Sequence, residues 1–217
     1  MTEHEYNEKI NELFTEWKAE QKSEKEYKVS NVDIGSFTFD GAISPEDYFS
    51  AKDRILFVSK ESDEGGKNKN YYINQNTDKF WLKNVYLQKE RTTKFSSGIS
   101  MLANALISND FKTPNKSHDV LKYISFINLN KRGGYSSCDW KVLKKYVETY
   151  RRRISYEIKL LNPTLIVCAG KWLKWYLEEV VELKGKYKII EVYHPSYFIK
   201  SNNEHLKKLE EEIVKIR

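Results

Sequence analysis

Apolar residues along the chain fall into two rhythms, and their alternation predicts the architecture. Residues 5–22 carry Ile10, Leu13, Phe14 and Trp17 at helical spacing between charges, which describes an amphipathic helix. Residues 37–45 read as a loop or short strand ending in a turn. Residues 54–58, Arg-Ile-Leu-Phe-Val, then form a short continuous apolar run, as expected of a strand buried on both faces. A helix is expected over 97–108, with Ile99, Leu102, Ala103 and Leu106 on one face. Residues 123–127 make the second buried strand. Asp139 is placed to cap a long helix that Asn162-Pro163 closes after Leu161. Residues 165–169 form the third strand, followed at once by Gly170 and a helix to Val181. Residues 188–193 make the fourth strand, and residues 202–217 a closing helix.

Strands alternating with helices predict an α/β fold with three αβα layers around a four-stranded, mostly parallel central sheet. No internal repeat or low-complexity linker interrupts the chain, so residues 1–217 read as a single domain. It would carry an N-terminal helical extension over 4–28 and a long polar insertion loop over 66–94. Loops of that length are usually functional or mobile.

Composition narrows the picture further. A chain of 217 residues can bury a substantial core. No apolar run approaches the roughly 20 residues of a membrane span. Met1-Thr2-Glu3-His4-Glu5 has neither the basic start nor the apolar stretch of a signal peptide. Two cysteines, Cys138 and Cys168, stand far apart without metal-ligand spacing. The expectation is a cytoplasmic, reduced, monomeric protein with no membrane contact, metal or cofactor. A net charge of +6 favours polyanionic partners such as nucleic acid, although Lys-rich solvated helix surfaces give the same balance. An aromatic content of 14% would suit base stacking as well as core packing.

The predicted strand ends carry the chemistry, since open α/β sheets bind ligands beyond the carboxyl ends of their strands. Ser59-Lys60-Glu61-Ser62-Asp63-Glu64 follows the first strand, and Asn128-Leu129-Asn130-Lys131-Arg132-Gly133-Gly134 the second. Gly170-Lys171-Trp172 follows the third, and His194-Pro195-Ser196-Tyr197-Phe198 the fourth. A carboxylate, an amide, basic residues and a histidine would meet on one rim. Such a set can position water, read a base edge, hold phosphates and stabilise an oxyanion.

In order and placement these segments resemble the motifs of the uracil-DNA glycosylase superfamily, over about residues 37–199. Residues 55–62 are similar to its first motif, a strand running into a loop whose acid or amide positions water. Asn128 falls where those enzymes carry an asparagine that reads the flipped base. Phe95-Ser96-Ser97-Gly98 resembles the segment whose phenylalanine stacks under that base. Residues 162–171 look like the third strand and its glycine turn. His194-Pro195-Ser196 resembles the last motif, whose histidine faces the base and whose following residues wedge into the duplex. The chain departs from the pattern in having Glu61 where some members have Asp, with Asp63 and Glu64 nearby, and Ser62 where a proline is common. It also lacks the four cysteines of members that hold an iron–sulfur cluster.

The resemblance implies a DNA glycosylase that hydrolyses the N-glycosidic bond of a flipped-out pyrimidine and leaves an abasic site. The base would be uracil or a modified cytosine, extending to phage-modified bases and a role in defence. Glu61 and His194 would be catalytic, and Asn128 and Phe95 would bind the base. Lys60, Lys131, Arg132, Lys171, Ser196, Tyr197 and Phe198 would contact DNA. The triple Arg151-Arg152-Arg153 reads instead as a solvated helix face. Two alternatives stay open: a non-catalytic nucleic-acid-binding module on the same fold, and a nucleotide-binding α/β protein. Against the second, no Gly-x-Gly-x-x-Gly turn or P-loop is present.

Overall fold

A computed structural model describes residues 1–23, 37–63, 80–87, 91–113, 117–134, 138–197 and 201–216. The chain opens with α1 (Glu3–Ser23), where Thr2 and Glu5 bond reciprocally: the Thr2 amide donates to Glu5 and the Glu5 amide to the Thr2 hydroxyl. Next come β1 (Gly41–Ala42), α2 (Pro45–Ser50), β2 (Ile55–Asp63), α3 (Trp81–Tyr86) and α4 (Lys94–Ser108). A 3-10 turn, His118–Tyr123, leads into β3 (Ile124–Gly134) and α5 (Trp140–Leu161). The last elements are β4 (Leu165–Ala169), α6 (Leu173–Trp175, continued as a π-helical turn, Tyr176–Val180), β5 (Ile189–Val192) and α7 (Asn202–Ile216). Among the described residues, no helix is long and apolar enough to cross a membrane.

The sheet has five strands in the order β1-β3-β2-β4-β5. β3, β2, β4 and β5 run parallel, and β1 adds a two-residue antiparallel edge on β3. The sheet is therefore mixed and five-stranded where a four-stranded one was predicted. The extra strand lies within the segment 37–45. Two residues are too few for periodicity to register.

Helices cover both faces. On one, α1, α2, α5 and α6 enclose Leu56, Val58, Ile127, Leu129, Ile166 and Cys168. On the other, α3, α4, α7 and the 3-10 turn enclose Phe57, Phe126, Val167, Ala169, Ile190 and Val192. The alternation along β2 and β3, one residue to each layer, is what a doubly covered strand requires.

Capping residues set the helix ends that position the site. Asp139 Oδ1 accepts from the Lys141 and Val142 amides at 3.0 and 3.3 Å, and Asn162 ends α5 in the left-handed region (φ 45) before Pro163. Thr93 and Ser96 form a reciprocal capping box at the start of α4.

Three sequence expectations change. The 66–94 segment is not all loop, because α3 lies within it and buries Leu82 and Val85; residues 64–79 and 88–90, Glu64 among them, lie outside the described residues. β2 and β3 each run on through the polar stretches read as loops, pairing Ser59 with Asn128 and Glu61 with Asn130. The N-terminal helix is part of the core: Trp17 is fully buried against Phe37, Tyr146 and Tyr150.

Candidate active site at the carboxyl edge of the sheet

Glu61 sits on the polar continuation of β2, so the sheet ladder rather than a free loop fixes its backbone. Its side chain is only 5% exposed. The Lys60 ammonium lies 3.7 Å from Oε1, and the Cys138 thiol, just before α5, donates to Oε2 at 3.7 Å. Asn130, its register neighbour on β3, adds a side-chain hydrogen bond. Burial nonetheless holds the Glu61 carboxyl above the usual carboxylate range, outweighing the Lys60 charge and these bonds. The thiol stays protonated, because burial and the Glu61 charge push Cys138 up to about 12.

His194 follows β5 in a tight turn closed by the Tyr197 amide donating to its carbonyl at 2.8 Å. The Ser196 amide, at 3.4 Å, and hydroxyl, at 3.1 Å, both face Nδ1. An Nδ1 that accepts from Ser196 leaves the proton of a neutral ring on Nε2. Burial first, then the charges of Lys60 and His205, pull the imidazole down to about 4, so it is neutral near pH 7. Lys60 therefore acts electrostatically on both Glu61 and His194.

Two glycines let the surrounding elements close on this turn. A Cβ on Gly98 would lie 2.5 Å from the Pro195 carbonyl oxygen and 2.8 Å from the Pro195 Cβ, so only glycine permits α4 to pack directly against His194-Pro195-Ser196. Gly170, at the end of β4, has φ +145, and its Cβ position lies 3.9 Å from His194 Cδ2. Phe95, in the first turn of α4, brings its ring to 5.3 Å from the His194 ring and meets Phe126 edge-on at 5.8 Å. Asn128 lies two residues beyond Phe126 on β3, hence on the same face of the strand. It is 5% exposed, and its backbone N–H donates to Asp40 Oδ2 at 2.7 Å.

Phe95, His194 and Ser196 are thus in one cluster, with Asn128 on the face that Phe126 and Phe95 share. Glu61 connects to His194 through Lys60. Lys60 itself is drawn in beside Glu61, its side chain 19% exposed. Lys171 and Tyr197 are exposed, with the Tyr197 ring 6.4 Å from Tyr193. Phe198 lies outside the described residues. Asp63 ends β2.

Two predicted DNA contacts are corrected. Lys131 is fully buried, its ammonium held by Asp40 at 2.5 Å and Glu157 at 2.9 Å, with the Phe14 and Trp17 rings within 5.5 Å. Arg132 is 2% exposed, its guanidinium over the Tyr146 and Tyr150 rings at 5.1 and 5.9 Å. Neither can reach a phosphate without breaking the core. Within the arginine triple, Arg153 pairs with Glu16 and Glu20 of α1.

Asn130 and Cys138 are site residues that periodicity does not single out. The signal for Asn130 was its spacing: Asn128-Leu129-Asn130 places both amides on one face once the segment is read as strand. Nothing in the sequence links Cys138 to a carboxylate 77 positions away.

No protein-family model matches this chain, and no curated protein matches it significantly.

Proposed function

We propose that the chain is a DNA glycosylase of the uracil-DNA glycosylase type, hydrolysing the N-glycosidic bond of a flipped, modified pyrimidine. The observation that carries this reading is a buried acid with a raised pKa and a neutral histidine that share the Lys60 charge, with an aromatic ring against that histidine, at the carboxyl ends of parallel strands. Burial favours the neutral form of both groups, and titratable groups perturbed in this way concentrate at functional sites.

Bond cleavage places positive charge on the sugar and negative charge on the departing base. Glu61 orients a water toward the anomeric carbon and takes its proton, and burial raises its basicity for that step. The Nε2–H of His194 donates to the base oxygen on which negative charge collects, as a preorganised oxyanion donor. Asn128 reads the base edge, and Phe95 offers a ring for stacking. Lys60 holds Glu61 in place and adds positive potential toward the phosphates. Flipping is required, because a base inside a duplex cannot reach a buried carboxyl; it costs a few kcal/mol.

The test is a panel of duplex and single-stranded oligonucleotides, each with one modified pyrimidine, treated with alkali after incubation. Strand scission at one modified base supports the enzyme. Salt-sensitive binding without scission on any member supports the non-catalytic module instead.

A further inference from the structure

The turn after β4 displays a tryptophan in a way that packing does not explain. Trp172 occupies the left-handed region at φ 72, ψ −10, where a bulky residue is an outlier, yet it is 51% exposed. The strained turn is tied to the neighbouring strand. The Glu191 carboxylate of β5 accepts from the Lys174 amide at 3.4 Å and is also stabilised by the Trp172 amide. Such strain persists only where the surroundings over-determine it, and it concentrates at functional sites. The turn starts at Gly170, whose Cβ position lies 3.9 Å from the His194 ring. The Lys171 ammonium sits 4.9 Å from the centre of the Trp172 ring.

Two other exposed rings flank Tyr176. Trp175 is 42% exposed and meets Tyr176 at 5.1 Å. Trp140 is 41% exposed and lies parallel to Tyr176, 6.4 Å away. Trp140 is two residues from Cys138, the thiol on Glu61. Of the exposed tryptophans, Trp140 and Trp172 thus each stand two residues from a position that touches the site, Cys138 and Gly170.

We propose that Trp172 is a stacking platform for an unpaired base of single-stranded DNA, with Lys171 on the adjacent phosphate. A cation beside a flat exposed ring matches the alternation of phosphate and base along a strand, and stacking accepts any base. The inference rests on the proposed reading for its choice of DNA, but its test reads binding and does not depend on cleavage.

Fluorescence anisotropy of a short, unmodified, fluorescein-labelled single strand would be measured against wild type, W172G, W172F and K171Q. Glycine is at ease at φ 72, so W172G keeps the turn while deleting the ring. W172G should weaken binding about 5- to 150-fold, the loss of one stacked base, while leaving the salt slope unchanged. W172F should recover most of the affinity. K171Q should lower the slope of log K against log salt by about 0.7 unit, the value for one phosphate contact on a single strand. Wild-type affinity in W172G would overturn the proposal, as would a wild type that binds an oligosaccharide and no DNA. If no modified base is cleaved but W172G still weakens binding, the stacking platform stands and the glycosylase reading falls.

Discussion

Replacing Lys131 by methionine tests whether the basic turn after the second core strand is a DNA contact or a core element. Methionine keeps the length of the lysine stem, so packing against Phe14 and Trp17 is largely preserved. What disappears is the charge between Asp40 and Glu157, whose side chains are 1% and 0% exposed. Two charge-assisted hydrogen bonds are lost, each worth about 1.5–3 kcal/mol. Two carboxylates are also left together without a counter-ion, and breaking a buried pair this way costs about 3–5 kcal/mol. Proton uptake limits the damage, because burial already holds Glu157 well above the usual carboxylate range. A carboxyl whose folded pKa is raised costs stability once pH exceeds its unfolded value. The loss in K131M should therefore be largest near neutral pH and shrink as pH falls toward the ordinary carboxylate range. Urea unfolding followed by tryptophan fluorescence measures it, against a total stability of about 5–15 kcal/mol for such a domain. Neutralising the cluster together, as D40N/K131M/E157Q, should recover much of the loss. Full stability in K131M at pH 7, with weakened DNA binding, would refute the buried triad and restore Lys131 to the surface.

Other consequences follow from the same geometry. Glu61→Gln should raise the melting temperature at pH 7, because burial opposes the charged carboxyl; the gain should fade at acid pH, and a lower melting temperature would contradict the burial argument. An ¹⁵N-edited NMR titration should find His194 with its proton on Nε2 at neutral pH and a midpoint near 4. Its contribution to stability should be complete above the usual imidazole pKa and decline as pH falls toward 4, since the unfolded ring protonates first; a midpoint near the usual value would remove the neutral-donor role. Gly98→Ala should cost about 1–3 kcal/mol by overpacking the Pro195 carbonyl, and should shift the His194 resonance in the same spectra. An unchanged spectrum would show that α4 does not brace the turn.

How much of this was legible in the chain depends on the residue. The four parallel strands could be read because their apolar runs are buried on both faces, and the ends of α5 because Asp139 and Asn162-Pro163 have local capping roles. The continuations of β2 and β3 could not be read, because they are buried yet mostly polar, and their pairing with each other's backbone leaves no apolar run to mark them. The same fact hid the order within Asn128–Arg132: alternate residues of a strand face opposite layers, which sends Lys131 toward α1 and α5. Its partners, Asp40 and Glu157, are 91 and 26 positions away. Charge there does not mean exposure, and only tertiary pairing distinguishes a buried lysine from a solvated one. Glu61 and His194 could be named as candidates from their places at strand ends. The raised and lowered pKa values come from burial that no local pattern records.

The central claim is most directly tested by mass spectrometry of the free base released from modified-pyrimidine oligonucleotides, with wild type and Glu61→Gln assayed side by side at equal DNA occupancy. Wild type should release a free pyrimidine and leave an abasic strand, and the variant should do so about 10²–10⁴-fold more slowly with binding retained. Release at the wild-type rate by Glu61→Gln, or no release from any modified base by wild type, would contradict it.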